Sequence, residues 1–192
     1  MKKILIILIL PILLAFTNVH LPTKIQKVVN HAKWQSTQYV IYDGSYVKLD
    51  YPGGDVPANK GVCTDVIIRA YRNINIDLQV LIHLDMKKAF DIYCKKYKTK
   101  VIDANIDHRR TQNIETYLTR QGAKLPITNN DVDYKPGDII FWDIAHGHVG
   151  IVVDEKVPGT NRYYVVHNIG GGPQQNDFIF SAPIIGHYRW YP

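Results

Sequence analysis

The sequence GDIIFWDIAHGHVGIVVDEK at residues 137–156 decides the fold class of this chain. It contains two apolar runs, 138–142 and 148–154, that are rich in β-branched and aromatic residues and are separated by a short Gly-containing turn. This pattern predicts two neighbouring strands. Runs of the same kind at 163–169 and 186–191 predict two more. Strands joined by such short connections favour an antiparallel sheet.

The first half of the chain has helical rather than strand periodicity. Apolar residues recur at spacings of three and four over 22–36, 63–75 and 114–122, and a further helix is predicted at 84–97. Gly122 is a residue type that commonly ends a helix. Helices followed by a run of strands predict an α+β fold, with N-terminal helices packed on a C-terminal antiparallel sheet.

Length and composition exclude several classes of protein. The 192 residues predict one domain over 21–192, and two cysteines, Cys63 and Cys94, exclude a disulfide-rich scaffold. The formal charge is +6, from 23 Lys+Arg against 17 Asp+Glu, without a dense basic block. We therefore expect a monomer with no nucleic-acid partner.

The N-terminus resembles an export signal. Two lysines, Lys2 and Lys3, precede an apolar stretch at 4–16 that Pro11 interrupts and that is too short to cross a membrane comfortably. We predict a signal peptide over 1–20, with an uncleaved anchor as the alternative. The protein is then periplasmic or secreted, and its only membrane contact is through this segment.

Cys63 is the candidate nucleophile because it lies where a loop becomes a predicted helix. The unpaired N–H groups of a helix N-terminus stabilise both a thiolate and a developing oxyanion. His148 opens a predicted strand and is the candidate base. His167 lies on the next strand, where it, or its neighbour Asn168, could orient the His148 ring.

Particular segments of the chain carry a resemblance to known families. The segments 137–142, 148–153 and Val166-His167 resemble the catalytic half of NlpC-type cell-wall peptidases. The segments 55–65, 105–110 and 167–174 are more closely similar to the YijF-like bacterial family (domain of unknown function 1287) of the same superfamily. This similarity covers residues 38–191.

The resemblance implies a papain-like NlpC-type fold with a Cys63–His148–His167 triad. It implies a cysteine peptidase or amidase that hydrolyses an amide bond in peptidoglycan, either within the stem peptide or between muramic acid and L-alanine. The partner is then peptidoglycan or its fragments. NlpC-type enzymes usually have Asp-Cys-Ser at the nucleophile, whereas this chain has Val62-Cys63-Thr64, so the pocket beside the nucleophile differs.

Further residues are candidates for substrate binding. Aromatic side chains such as Tyr51 and Trp142 could form walls for a sugar or a peptide. Arg109, in the run Asp107-His108-Arg109-Arg110, could clamp a carboxylate, or could belong to a structural ion-pair network. The candidate substrate-binding residues are Asn168, Tyr51, Asp65, Trp142 and Arg109.

The same motifs also allow other interpretations. His146 and His148, with Asp143 and His167, have spacing compatible with zinc, but we expect no metal and no cofactor. The glycines at 170–172 fit a tight loop beside the cleft better than a phosphate-binding motif. The alternatives to hydrolysis are acyl transfer to another acceptor and a non-catalytic module that binds cell-wall fragments.

Overall fold

A computed structural model describes residues 21–97 and 100–192, and within these residues the chain forms four α-helices and seven strands. The predicted signal segment 1–20 lies outside them. No helix among the described residues is long and apolar enough to cross a membrane. The elements in chain order are α1 (Thr23–Gln35), β1 (Ile41–Tyr42), β2 (Lys60–Gly61), α2 (Cys63–Arg72), α3 (Leu78–Tyr97), α4 (Thr111–Arg120), β3 (Ile139–Trp142), β4 (His148–Lys156), β5 (Tyr163–Asn168), β6 (Pro173–Asn176) and β7 (Ile184–Tyr188).

The α+β architecture is confirmed. Five strands form an antiparallel sheet in the order β6-β5-β4-β3-β7, and β1 and β2 form a separate parallel pair. Helices cover one face of the sheet, where apolar residues of α1 and α2 pack against Val149, Ile151 and Val166. This arrangement follows from the predicted order of helices before strands.

The opposite face of the sheet is also buried, which explains why the strand sequences are apolar without alternation. Ile140, Trp142 and Val152 of this face form a second core with Tyr134 and Ile179 from the flanking loops. Strands covered on both faces carry near-continuous apolar runs. All four residues of β3 are accordingly buried.

Helix α3 and strands β7 and β6 differ most from the sequence-based expectation. Helix α3 starts at Leu78 rather than residue 84, because the Asp77 carboxylate accepts the backbone N–H of Gln79 at 3.0 Å and so caps an earlier turn. Strand β7 ends before Trp190, whose ring leaves the sheet to pack on Tyr71 with ring centroids 5.0 Å apart.

The third difference is strand β6, which the sequence did not indicate. Its residues Pro173–Asn176 are mostly polar, and it is an edge strand paired only with β5. The glycines at 170–172 form the connection between these two strands. Gly172, at φ +90°, lies against the backbone oxygen of Val40, where an added Cβ would approach to 3.1 Å.

Candidate active site

Cys63 is the first residue of α2, and the local sequence fixes that helix start. The Asp65 carboxylate accepts the backbone N–H of Val62 at 2.7 Å, which satisfies a donor that a helix start leaves unpaired. The sulfur of Cys63 is buried, and the nearby backbone N–H groups of Val149, Thr64 and Cys63 itself favour its thiolate form. Backbone N–H groups at a helix start are also of the kind that can bind a developing oxyanion.

His148 and His167 form a hydrogen-bonded pair on neighbouring strands. The Nε2 atom of His148 lies 2.7 Å from the Nδ1 atom of His167. The register explains the approach, because Gly150 of β4 is directly opposite His167 and lies two residues after His148, on the same face of the sheet. The Nδ1 atom is therefore the ring nitrogen of His148 that this pairing leaves for a thiol.

Cys63 lies near the backbone of β4 at the residue next to His148. The backbone N–H of Val149, the residue directly after His148, favours the thiolate form of Cys63. Among the described residues, the hydrogen bonds of the His148 ring include its bond to His167 and none to Cys63. The His148 side chain lies on the Trp142 face of the sheet, whereas α2 packs on the Val149 face, so proton transfer requires the His148 ring to reorient.

Burial keeps all three groups uncharged at neutral pH. Desolvation raises the pKa of Cys63 to about 11, the N–H of Val149 opposes this shift, and the charge of Asp65 adds to it. Desolvation also lowers the pKa values of His148 and His167 to about 4, and for His148 the neighbouring His167 contributes. The helix N-terminus was expected to stabilise a thiolate, but the loss of solvent outweighs it.

Two aromatic rings cover the histidine pair. Phe178 lies 4.1 Å from the His167 ring and Trp142 lies 5.7 Å from the His148 ring, centroid to centroid. The Nε2 atom of His167 is buried without a hydrogen-bond partner among the described residues. The Trp142 side chain is fully buried and donates its indole N–H to the Ile179 oxygen at 2.9 Å. Trp142 therefore shields the pair and is not an exposed wall for a substrate.

Asn168 lies on the other face of the sheet from His167. Its Nδ2 atom donates to the Gly61 oxygen at 3.3 Å, and its Oδ1 atom accepts the N–H of Gly170 at 3.2 Å. Of the two candidates for orienting His148, His167 is the one within hydrogen-bond distance of the His148 ring. Asn168 instead ties the end of β5 to the loop that precedes Cys63.

Asp65 and Arg109 form a buried bidentate ion pair. The two guanidinium-to-carboxylate distances are both 2.9 Å, and the side chains are only 3% and 2% exposed. Arg109 also donates to the backbone oxygens of Asp43 and Ser45. Of the two roles considered for Arg109, these contacts match the structural ion-pair network, because none of them leaves the guanidinium open to a substrate carboxylate.

Exposed tyrosines lie on the segment that precedes the nucleophile. Tyr51 is 44% exposed and packs its ring on His83 at 5.0 Å. Tyr42 was missed by the sequence reasoning: it pairs with Gly61, two residues before Cys63, and burial raises the pKa of its phenol. This pairing belongs to the β1–β2 ribbon, and a two-residue strand leaves little signal in the sequence.

The alternative zinc site is not formed. Within the described parts of the chain, no group of three or more His, Cys, Asp or Glu side chains lies close enough to hold a metal ion. His146 and Asp143 are exposed. They line a cavity of about 270 Å³ next to His148, together with Glu115 and Thr111. Cys63 and Cys94 are both free thiols.

The fold and the site define an α+β protein with a buried cysteine at a helix N-terminus and a buried, hydrogen-bonded histidine pair on the sheet. The model of the family "Domain of unknown function (DUF1287)" matches residues 29–190. The chain belongs to this family. It is also similar to "Uncharacterized protein YijF" of Escherichia coli (strain K12), with 42% identity over 199 residues that cover 95% of this chain and 96% of that protein.

Proposed function

We propose that this protein is a cysteine hydrolase that cleaves an amide bond, with Cys63 as nucleophile, His148 as base and His167 as the residue that positions His148. One observation carries the proposal: the Nε2 atom of His148 lies 2.7 Å from Nδ1 of His167, and the backbone of the next residue, Val149, lies near the buried Cys63 at the start of α2. A buried cysteine at a helix start and a histidine held by a second polar residue are the groups that such catalysis uses.

The chemistry follows from these positions. The Cys63 sulfur attacks the substrate carbonyl carbon while its proton passes to Nδ1 of His148, and backbone N–H groups bind the oxyanion. His148 then protonates the leaving amine as the C–N bond breaks, which leaves a thioester on Cys63. A water molecule, deprotonated by His148, attacks the thioester and releases the carboxylic acid and the free thiol.

The reaction starts from a site in which Cys63, His148 and His167 are uncharged. With the pKa of Cys63 near 11 and that of His148 near 4, the proton stays on sulfur at neutral pH. Proton transfer therefore accompanies attack on the substrate. The N–H of His148 Nε2 donates to Nδ1 of His167, which requires His167 to be neutral and protonated at Nε2.

The papain-like NlpC-type fold and the peptidoglycan substrate belong to the same proposal. The resemblance of 137–142 and 148–153 to NlpC-type cell-wall peptidases supports them, as do the order of helices before an antiparallel sheet and the export signal predicted at 1–20. The scissile bond is then in the stem peptide or is the muramoyl–alanine amide, and the protein acts in the periplasm or outside the cell.

The test is a digest of purified peptidoglycan with three proteins: the wild type, Cys63→Ala and Cys94→Ala. Cys94 lies on α3, outside the site, and serves as the matched cysteine control. We expect new fragments from the wild type and from Cys94→Ala, with none from Cys63→Ala, and their masses identify the bond. Fragments that persist in Cys63→Ala would refute the nucleophile. No fragments from any wall type would remove peptidoglycan as the substrate and favour a binding module or acyl transfer.

A further inference from the structure

A cavity of about 760 Å³ includes none of the proposed catalytic residues. Its walls are the C-terminal half of α1, the segment that leads into β2 and the C-terminal end of α2. Trp34 and Tyr39 stand at its rim with 54% and 83% of their surfaces exposed. We propose that this cavity binds a short stretch of N-acetylated glycan, the strand to which the scissile peptide is attached; this inference rests on the proposed function.

The aromatic rim suits a sugar ring. The ring of His31 packs on Trp34 with centroids 5.1 Å apart, which supports the indole from one side. The electron-rich face of an aromatic ring attracts the slightly positive C–H face of a pyranose. Large exposed aromatic side chains on a mostly apolar cavity of this size are typical of a ligand site rather than of ordinary surface.

The charges of the wall favour an uncharged ligand. Arg69 and Arg72 both lie against Asp55, at 2.9 Å and 3.6 Å, and Arg72 also pairs with Asp77 at 3.2 Å. Two guanidinium groups are thus balanced by two carboxylates. Burial, followed by the charge of Arg69, lowers the pKa of His31, so its imidazole is neutral at pH 7. A phosphate or a nucleic acid finds no excess positive charge here.

Polar groups complete the site. The side-chain amide of Asn59 is exposed at the cavity and makes no hydrogen bond to any described residue. Gln38 also lines the cavity; its Nε2 atom donates to Thr37 Oγ1 at 2.7 Å, and its amide oxygen remains as an acceptor. An amide offers both donors and an acceptor, which match the hydroxyl and acetamido groups of an N-acetylated sugar.

The β1–β2 ribbon links this cavity to Cys63. Tyr39 precedes β1 and Asn59 precedes β2, and the Ile41 N–H donates to the Asn59 oxygen at 2.8 Å. From Asn59 the chain runs four residues to Cys63, a path of roughly 13 Å in extended conformation. A peptide attached to a sugar in the cavity can therefore reach the sulfur along one continuous ribbon.

Binding is measured apart from catalysis by using full-length Cys63→Ala and an oligomer of N-acetylglucosamine. Trp34 is the exposed tryptophan of the three in the chain, since Trp142 and Trp190 are buried, so its fluorescence reports the ligand directly. Calorimetry then compares Trp34→Ala and Tyr39→Ala in the same background. We expect each to weaken binding roughly tenfold, whereas Tyr39→Phe retains affinity because the ring remains.

The outcomes separate this inference from the proposed function. Oligomer binding that depends on Trp34 but is accompanied by no wall digestion keeps the glycan site and removes the hydrolase. Digestion of intact wall with no oligomer binding, or with unchanged affinity in Trp34→Ala, overturns the glycan site. Binding of a free stem peptide in place of the oligomer also overturns it. In active protein, Trp34→Ala should raise KM for intact wall.

Discussion

The reactivity of Cys63 towards an alkylating agent tests how the site controls its nucleophile. Burial raises the pKa of this thiol from 9.0 to about 11. Two pKa units reduce the thiolate fraction at pH 7 about a hundredfold. A more basic thiolate is a better nucleophile, with a Brønsted slope of about 0.4–0.5, which restores roughly tenfold. We therefore expect iodoacetamide to react with Cys63 about tenfold more slowly than with an unstructured peptide thiol.

The assay uses Cys94→Ser, which leaves Cys63 as the one cysteine of the chain. The alkylated fraction is followed by mass spectrometry from neutral pH to about pH 11. The rate should rise about tenfold per pH unit and level off only near the upper end of this range. A plateau at neutral pH would refute the reasoning, because it would show a thiolate already paired with a charged His148 in the free protein.

Gly150→Ala places a Cβ 2.7 Å from Cγ1 of Val165 and 3.0 Å from the Cβ of His167, so we expect a loss of roughly 1–3 kcal/mol in urea unfolding and lower activity from displacement of the His167 ring. Asp65→Asn leaves Arg109 buried without its carboxylate; we expect a cost of about 3–5 kcal/mol, partly recovered in Asp65→Asn/Arg109→Gln. The pKa values of His148 and His167 are lowered from 6.5 to about 4, so the unfolded chain binds more protons between these values. The stability they contribute is complete above pH 6.5 and is lost as the pH falls towards 4, which the midpoint of thermal unfolding measures.

Each of these three predictions has a control variant or an outcome that would contradict it. Gly44→Ala adds a Cβ that meets only the Val62 side chain, at an ordinary 3.6 Å, and should leave stability nearly unchanged. A double variant at Asp65 and Arg109 that is no more stable than Asp65→Asn would contradict the explanation by an orphaned charge. His167→Gln should lose less stability on acidification than the wild type. Part of the acid loss should survive there, because burial also lowers the pKa of His108 to about 4.

The sequence predicted the elements whose signals are local. The apolar runs of β3 and β4 stand out because both faces of those strands are buried. The start of α2 at Cys63 was predicted from the switch to helical periodicity. The His148–His167 pairing was also within reach, because two consecutive strands with a known side-chain alternation limit which residues can share a face.

The features that the sequence could not supply depend on packing between distant segments. Burial of Trp142 depends on loops that fold over the far face of the sheet. The ion pair joins Asp65 to Arg109 across α2 and the segment before α4. The raised pKa of Cys63 also depends on packing between distant segments. The helix N-terminus is visible in the sequence, whereas the desolvation that outweighs it exists only in the folded chain.

The bond from Asn168 to the Gly61 oxygen has a consequence for the order in which the protein is made. The loop before the nucleophile is held by a residue that is synthesised long after it, and the Val149 N–H near the sulfur also comes from the late half of the chain. A nascent chain that stops before β4 therefore contains Cys63 without either histidine of the proposed site. The contacts that complete this site have long sequence separation, and such contacts form slowly.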